Sequence, residues 1–253
     1  MQAQPAANAC MIVIGNEILS GRTQDKNLAW IAKELNESGI KLVEARFIPD
    51  IREVIIDTVN LCRRQFTYVF TSGGIGPTHD DITTECVAAA FGVAIKRHTQ
   101  AEAILTAHYG AENLNAARLK MADIPEGASL IANPVSAAPG FKLENVYVMA
   151  GVPSIMQAMF ANIRGDLKGG AKTLSRTISA YITEGVLAEK LTAIQNNAPD
   201  VEIGSYPFMR QNRLGTSLVS RSADPARLNM VYDQIRAMLL SFTKEVVEED
   251  LAA

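Results

Sequence analysis

Residues 69–86 read VFTSGGIGPTHDDITTEC, with three glycines inside positions 73–76 and two adjacent aspartates at 80 and 81. Glycines after an apolar run free the backbone to take φ > 0, and consecutive N–H groups can then line an anion-binding concavity. Short glycine motifs are weak signals, and this one reads on spacing alone as either a phosphate cradle or a tight turn. Neither GxxxxGK[ST] nor GxGxxG occurs anywhere in the chain. If the loop is a cradle, a side chain at Gly74 is expected to block the anion while leaving stability nearly intact.

Carboxylates supply the second half of the chemistry. Asp50 opens the segment Asp-Ile-Arg-Glu53, which has the form of a capping box, so its plain reading is a helix cap. Asp80 and Asp81 read the same way for the next helix, although one cap needs one aspartate. Two carboxylates from different strand ends, beside a phosphate loop, have the chemistry to hold a divalent cation against phosphate oxygens. His79, His98 and His108 show no ligand spacing and read as surface or helix residues.

These residues need elements to position them. CMIVIG (10–15) is a continuous apolar run, as in a strand buried on both faces. Leu28, Ile31, Ala32 and Leu35 recur at helical spacing ahead of Gly39. An extended run at 40–48, a helix with Val54, Ile55, Val59 and Cys62 inward, and a strand at 67–71 follow. A helix over 82–91 ends at Gly92, 99–121 reads as helical, and 145–151 as a strand before a helix at 154–164. Strands alternating with helices predict a mostly parallel sheet covered on both faces. RGDLKGGAK (164–172) then reads as a linker. Beyond it, a strand near 174–182, helix 184–196, strands 201–206 and 214–222 and helix 224–242 predict a small α+β domain. The expected domains are 1–165 and 173–253.

Composition narrows the function classes. The 253 residues are 48% hydrophobic and 20% charged, as in an ordinary globular protein. A formal net charge of −3 argues against a broad electrostatic hold on nucleic acid or an anionic membrane. No run approaches the ~18 apolar residues of a membrane span, and MQAQPAAN lacks the basic region of a secretory signal. Cys10, Cys62 and Cys86 are isolated, which suits a reducing cytoplasm and offers no metal cage.

TSGGIGPTHDDITTE (71–85) resembles the TTGGLGPTHDDxTxE signature of the CinA N-terminal domain, within the MoaB/MogA molybdopterin-binding group. GNEILSGRTQDKN (15–27), FIPD (47–50), NPVSAAPGF (133–141), AGVPS (150–154) and IGSYP (203–207) are similar to further segments of CinA-type proteins, so the resemblance spans nearly the whole chain. It implies a three-layer α/β/α MoaB/Mog-like fold with a small C-terminal α+β domain. It also implies a pterin or nucleotide ligand, a divalent metal such as magnesium, and a homo-oligomer. Asp50 and Asp81 take the catalytic and metal-holding roles by that resemblance. Glu17, Asn27, Ser72, Gly73, Gly74, Gly76, Thr78, Asp80, Pro139, Gly140 and Gly151 take ligand-binding roles. The activity implied first is metal-dependent hydrolysis of ADP-ribose or a related dinucleotide. The alternatives are molybdopterin adenylyl transfer and non-catalytic carriage of a pterin or nucleotide. Ala150, Ser136-Ala137 and Lys26 depart from the usual proline, Gly-Thr or Gly-Ser, and Asp-Thr-Asn.

Overall fold

In the computed structural model, which describes residues 7–249, the chain divides at Gly170/Ala171 into two compact units. The first runs β1 (Asn8–Ile14), α1 (Asn16–Leu19), α2 (Asn27–Glu37), β2 (Lys41–Ile48), α3 (Arg52–Gln65), β3 (Tyr68–Ser72), α4 (Thr83–Phe91) and β4 (Ile95–Arg97). It continues with α5 (Thr99–Tyr109), α6 (Ala116–Lys120), β5 (Asp123–Pro125), β6 (Ser129–Ile131), β7 (Gly140–Leu143), β8 (Val146–Met149) and α7 (Pro153–Ile163). Its main sheet has the order β2-β1-β3-β8-β7-β6. The pairs β2/β1, β1/β3 and β3/β8 are parallel, whereas β8/β7 and β7/β6 are antiparallel.

Strand period two places the core on both faces of β1. Cys10, Ile12 and Ile14 pack with Ile55, Val59 and Cys62 of α3, Cys86 and Val87 of α4, and Leu105 of α5. Ala9, Met11 and Val13 pack on the opposite side with Ile31 and Leu35 of α2 and Met156, Met159 and Phe160 of α7. This is the three-layer α/β/α arrangement expected from the sequence. Gly92 ends α4 at φ 67, as its position predicts.

Several local expectations fail for identifiable reasons. The run 99–121 is not one helix: Gly110 at φ 78 ends α5, a single 3-10 turn follows, and Asn115 caps α6 through its side chain. The antiparallel edge at β6–β7 and the ribbon β4–β5 are built from strands of three or four residues, too short to show a period. The segment 164–172, read as a linker, does hold the division between the units, but its first part is tied to the first unit. Lys168 N–H donates to the Tyr68 hydroxyl at 2.9 Å, and Gly170 N–H to the Gly39 carbonyl at 2.8 Å, where Gly39 has φ 68.

The second unit contains β9 (Leu174–Ala180), α8 (Glu184–Asn197), β10 (Glu202–Arg210), β11 (Arg213–Ser222), α9 (Pro225–Leu240) and β12 (Val246–Glu249). Its antiparallel sheet has the order β10-β11-β9-β12. Ile178, Ala180 and Leu218 pack there against Leu187 of α8 and Val231, Ile235 and Leu239 of α9. The β10–β11 hairpin turns on Gln211 and Asn212 at φ 52 and 58, the two positive angles of a type I′ turn. β12 pairs with β9 and was not anticipated, because VVEE is a short, half-charged segment. Among the described residues, no helix is long and apolar enough to cross a membrane.

Candidate functional site

The ends of β1, β2, β3 and β8 open on one side of the main sheet, where ligands bind in open α/β folds. The segments following them line a cavity of about 600 Å³. Gly15, Glu17 and Thr23 come from the segment after β1, Asp50 from that after β2, and Gly73, Gly74, Gly76, Thr78, Asp80 and Asp81 from the loop after β3. Ala150 and Gly151 come from the segment after β8, and Asn133, Ser136 and Ala138 from the β6–β7 connection.

The glycine loop is held by its own chain. Gly73 N–H donates to the Met149 carbonyl at 3.1 Å, and Thr83 N–H donates back to the Gly74 carbonyl at 3.0 Å. Gly73 and Gly74 have φ 109 and 70; a Cβ on the first would overlap the Ile14 carbonyl, and one on the second the Thr83 hydroxyl. These two glycines are therefore required by packing and backbone angle, not only by a ligand. This corrects the expectation that a side chain at Gly74 would leave stability intact. The N–H groups of Gly74, Ile75 and Gly76 carry no hydrogen bond among the described residues.

The aspartates do not cap helices. The cap position of α3 is Ile51, which caps through no side chain. Ile51 N–H turns back to the Pro49 carbonyl at 2.8 Å, and the preceding Asp50 accepts from Asn16 N–H on Oδ2 at 2.8 Å. Asp50 thus ties the end of β2 to the loop after β1, and the expected capping box does not form. Ile82 likewise precedes α4 without a side-chain cap. Asp81 Oδ2 accepts from Thr78 N–H at 2.8 Å and from the Thr78 hydroxyl. Each aspartate is thus fixed by one oxygen, while its Oδ1 has no hydrogen-bond partner among the described residues.

Glu17, Asp50, Asp80 and Asp81 all line this cavity, and among the described residues no lysine or arginine does. Lys120 stands in an adjoining recess, donating to the Asp81 carbonyl at 2.9 Å and pairing with Glu85 at 3.4 Å. Among the described residues, no three His, Cys, Asp or Glu side chains converge as a metal cage. Two carboxylates with free oxygens beside unpaired N–H groups fit a cation whose remaining ligands are phosphate oxygens and water.

Other expected residues separate. Asn27 and Ser72 line a smaller recess, where Asn27 Nδ2 donates to Ser72 Oγ and the Gly151 carbonyl, both at 2.7 Å. Asp25 accepts the N–H groups of Asn27 and Leu28 and so starts α2, which leaves Lys26 exposed. Pro139 lines the recess of Lys120. Gly140 lines neither cavity; a Cβ there would overlap the Val148 carbonyl, so its smallness serves strand pairing. Sequence reasoning passed over Tyr109, Met121 and Asn133. Asn133 accepts the N–H groups of Val135 and Ser136, both at 3.1 Å, and donates to Ser136 Oγ and the Ala138 carbonyl. Its Asn-Pro start was the signal for that turn.

The first unit is thus a parallel-centred α/β/α layer with a glycine loop and carboxylates at its strand ends. The family model described as a probable molybdopterin binding domain matches residues 10–168, and that described as the FAD synthase middle domain matches 172–247. The chain belongs to the molybdopterin-binding-domain family. A protein of Archaeoglobus fulgidus is 36% identical over 197 residues, 78% of this chain and 84% of its own. A CinA-like protein of Salinibacter ruber is 30% identical over 242 residues, 90% of this chain and 59% of its own. The crystal structure of the protein CinA from Thermoplasma acidophilum superposes with a TM-score of 0.61 at 35% identity. It covers 64% of this chain and 98% of that one.

Proposed function

We propose that the first unit is a metal-dependent nucleotide pyrophosphatase acting on ADP-ribose or a related dinucleotide. The observation that carries this reading is the pairing of three successive unpaired N–H groups, on Gly74, Ile75 and Gly76, with four carboxylates and, among the described residues, no basic side chain in one cavity. The N–H groups bind phosphate oxygens, as backbone nests do. Four carboxylates repel the same anion, so Oδ1 of Asp50 and of Asp81 would hold a divalent cation between protein and phosphate. Such a cation, when bound, neutralises charge on the phosphoryl oxygens and acidifies water for attack. The Asn16 N–H fixes Asp50, and Thr78 fixes Asp81, so neither carboxylate has to reorganise as charge develops.

The family's description favours a second reading, adenylyl transfer to molybdopterin, with ligand carriage without turnover as a third. A side-by-side assay separates them, using purified protein, divalent metals, and ADP-ribose, FAD or ATP plus molybdopterin. AMP and ribose 5-phosphate from ADP-ribose support the hydrolase; turnover only with molybdopterin contradicts it, and binding without turnover favours the carrier. Self-association is part of the proposal, supported by Leu19, Val43 and Phe47, which stand 51%, 47% and 40% exposed on α1 and the edge strand β2. A cytoplasmic setting is supported by the three free thiols, of which Cys10 and Cys62 lie 3.6 Å apart without a disulfide.

A further inference from the structure

The glycine loop and the carboxylates do not account for the whole lining of the cavity. Among the described residues, Tyr109 is the sole aromatic lining the cavity, and Met121 lines it too. A ligand made only of phosphate and sugar gains little from such a wall. Tyr109 is the last residue of α5, and a closed set of contacts holds it there. Asn113 Nδ2 donates to the Tyr109 carbonyl at 3.1 Å, and Arg118 Nη1 donates to the Asn113 carbonyl at 2.6 Å. The Arg118 guanidinium then lies 4.3 Å from the Tyr109 ring centroid. Asn115 in turn accepts from Arg118 N–H at 3.0 Å, anchoring the start of α6. Tyr109 lines the cavity and Arg118 does not; the His108 ring packs edge-on to the Tyr109 ring with centroids 4.7 Å apart, and Tyr109 is only partly buried against the core.

We propose that Tyr109 is the platform of a subsite for a planar aromatic heterocycle, the base or pterin of a phosphate-bearing ligand. The proposal rests on the reading of the glycine loop as the phosphate site, and it extends that reading to what the phosphate is attached to. An aromatic face stacks on any base, so the platform selects for a heterocycle without specifying which one. The guanidinium contact and the Asn113 link fix the ring before the ligand arrives, which lowers the ordering cost of binding.

Calorimetric titration in magnesium tests this with AMP, ribose 5-phosphate, adenosine and a pterin monophosphate. The proteins compared are the parent, Tyr109→Leu and Tyr109→Phe, each checked for an unchanged unfolding midpoint by Trp30 emission. Base stacking of this kind predicts that Tyr109→Leu weakens AMP, the pterin or both by roughly tenfold or more, with ribose 5-phosphate unchanged. Tyr109→Phe keeps the parent affinity within about a factor of two, since stacking needs the ring and not the hydroxyl. Equal losses for AMP and ribose 5-phosphate, or no loss for any base-bearing ligand, overturn the subsite while leaving the loop reading intact. If ribose 5-phosphate does not bind the parent at all, the loop reading fails by itself. Adenosine then decides the subsite: lost affinity in Tyr109→Leu supports it, and unchanged affinity or no binding overturns it.

Discussion

Replacing Gly74 with alanine tests whether the glycine loop is a packed structural element as well as a ligand cradle. Gly74 sits at φ 70, and a Cβ there would overlap the Thr83 hydroxyl, which donates to the Gly73 carbonyl at 3.0 Å. Holding an L-residue in that left-handed region costs roughly 1–2 kcal/mol. Displacing Thr83 gives up a buried hydrogen bond worth about 0.5–1.5 kcal/mol. Gly74→Ala should therefore destabilise the first unit by about 1.5–3.5 kcal/mol. Urea unfolding followed by the emission of Trp30 reads this directly. Trp30 is the chain's one tryptophan, packed edge-on against Phe160 with ring centroids 5.5 Å apart. Thr83→Ala should cost only the hydrogen bond, and adding it to Gly74→Ala should cost almost nothing more, because the two losses share one contact. A Gly74→Ala protein within about 0.5 kcal/mol of the parent, the range of neutral surface changes, would refute the packing argument.

Asp50→Asn should keep the fold, since an amide oxygen can still accept from Asn16 N–H, yet lose metal-dependent ligand binding; calorimetry with and without magnesium checks both halves. Ala137 holds φ 64 in the loop after Asn133, so Ala137→Gly should raise the urea-unfolding stability by about 0.5–1 kcal/mol. Burial pushes the Cys86 thiol up to about 11, above its unfolded value of 9.0. Because the folded value is the raised one, the stability it contributes is complete below pH 9 and is lost as pH rises toward 11. Unfolding midpoints measured across that window should fall less steeply in Cys86→Ala than in the parent.

The core of the fold was legible because buried strands and amphipathic helices carry a period. The alternation along Ala9–Ile14 and the spacing of Ile31 with Leu35 are direct records of which faces are covered. The antiparallel edge was not legible, because strands as short as Ser129–Ile131 hold too few side chains to show alternation. Capping at Asp50 was misread because residue type alone does not show which N–H a carboxylate meets; the turn at Pro49 decides that. In the candidate site, the glycine loop and the aspartates stood out by type and crowding. Tyr109 did not, since an aromatic at a helix end looks like any core residue until the chain folds it against a loop 30 residues earlier. Gly140 shows the reverse error: a glycine in a ligand-like motif whose space is taken by the Val148 carbonyl.

On the proposed reading, this cavity accepts a pyrophosphate only across a divalent cation. Calorimetric titration of inorganic pyrophosphate into the parent protein, in magnesium and then in chelator, tests it most directly. With four carboxylates and, among the described residues, no basic side chain lining the cavity, affinity should fall by at least about tenfold in chelator. Asp50→Asn and Asp81→Asn should each bind in magnesium no better than the parent does in chelator. Equal affinity with and without the metal would contradict the account, because the loop N–H groups alone would then be holding the anion against those carboxylates.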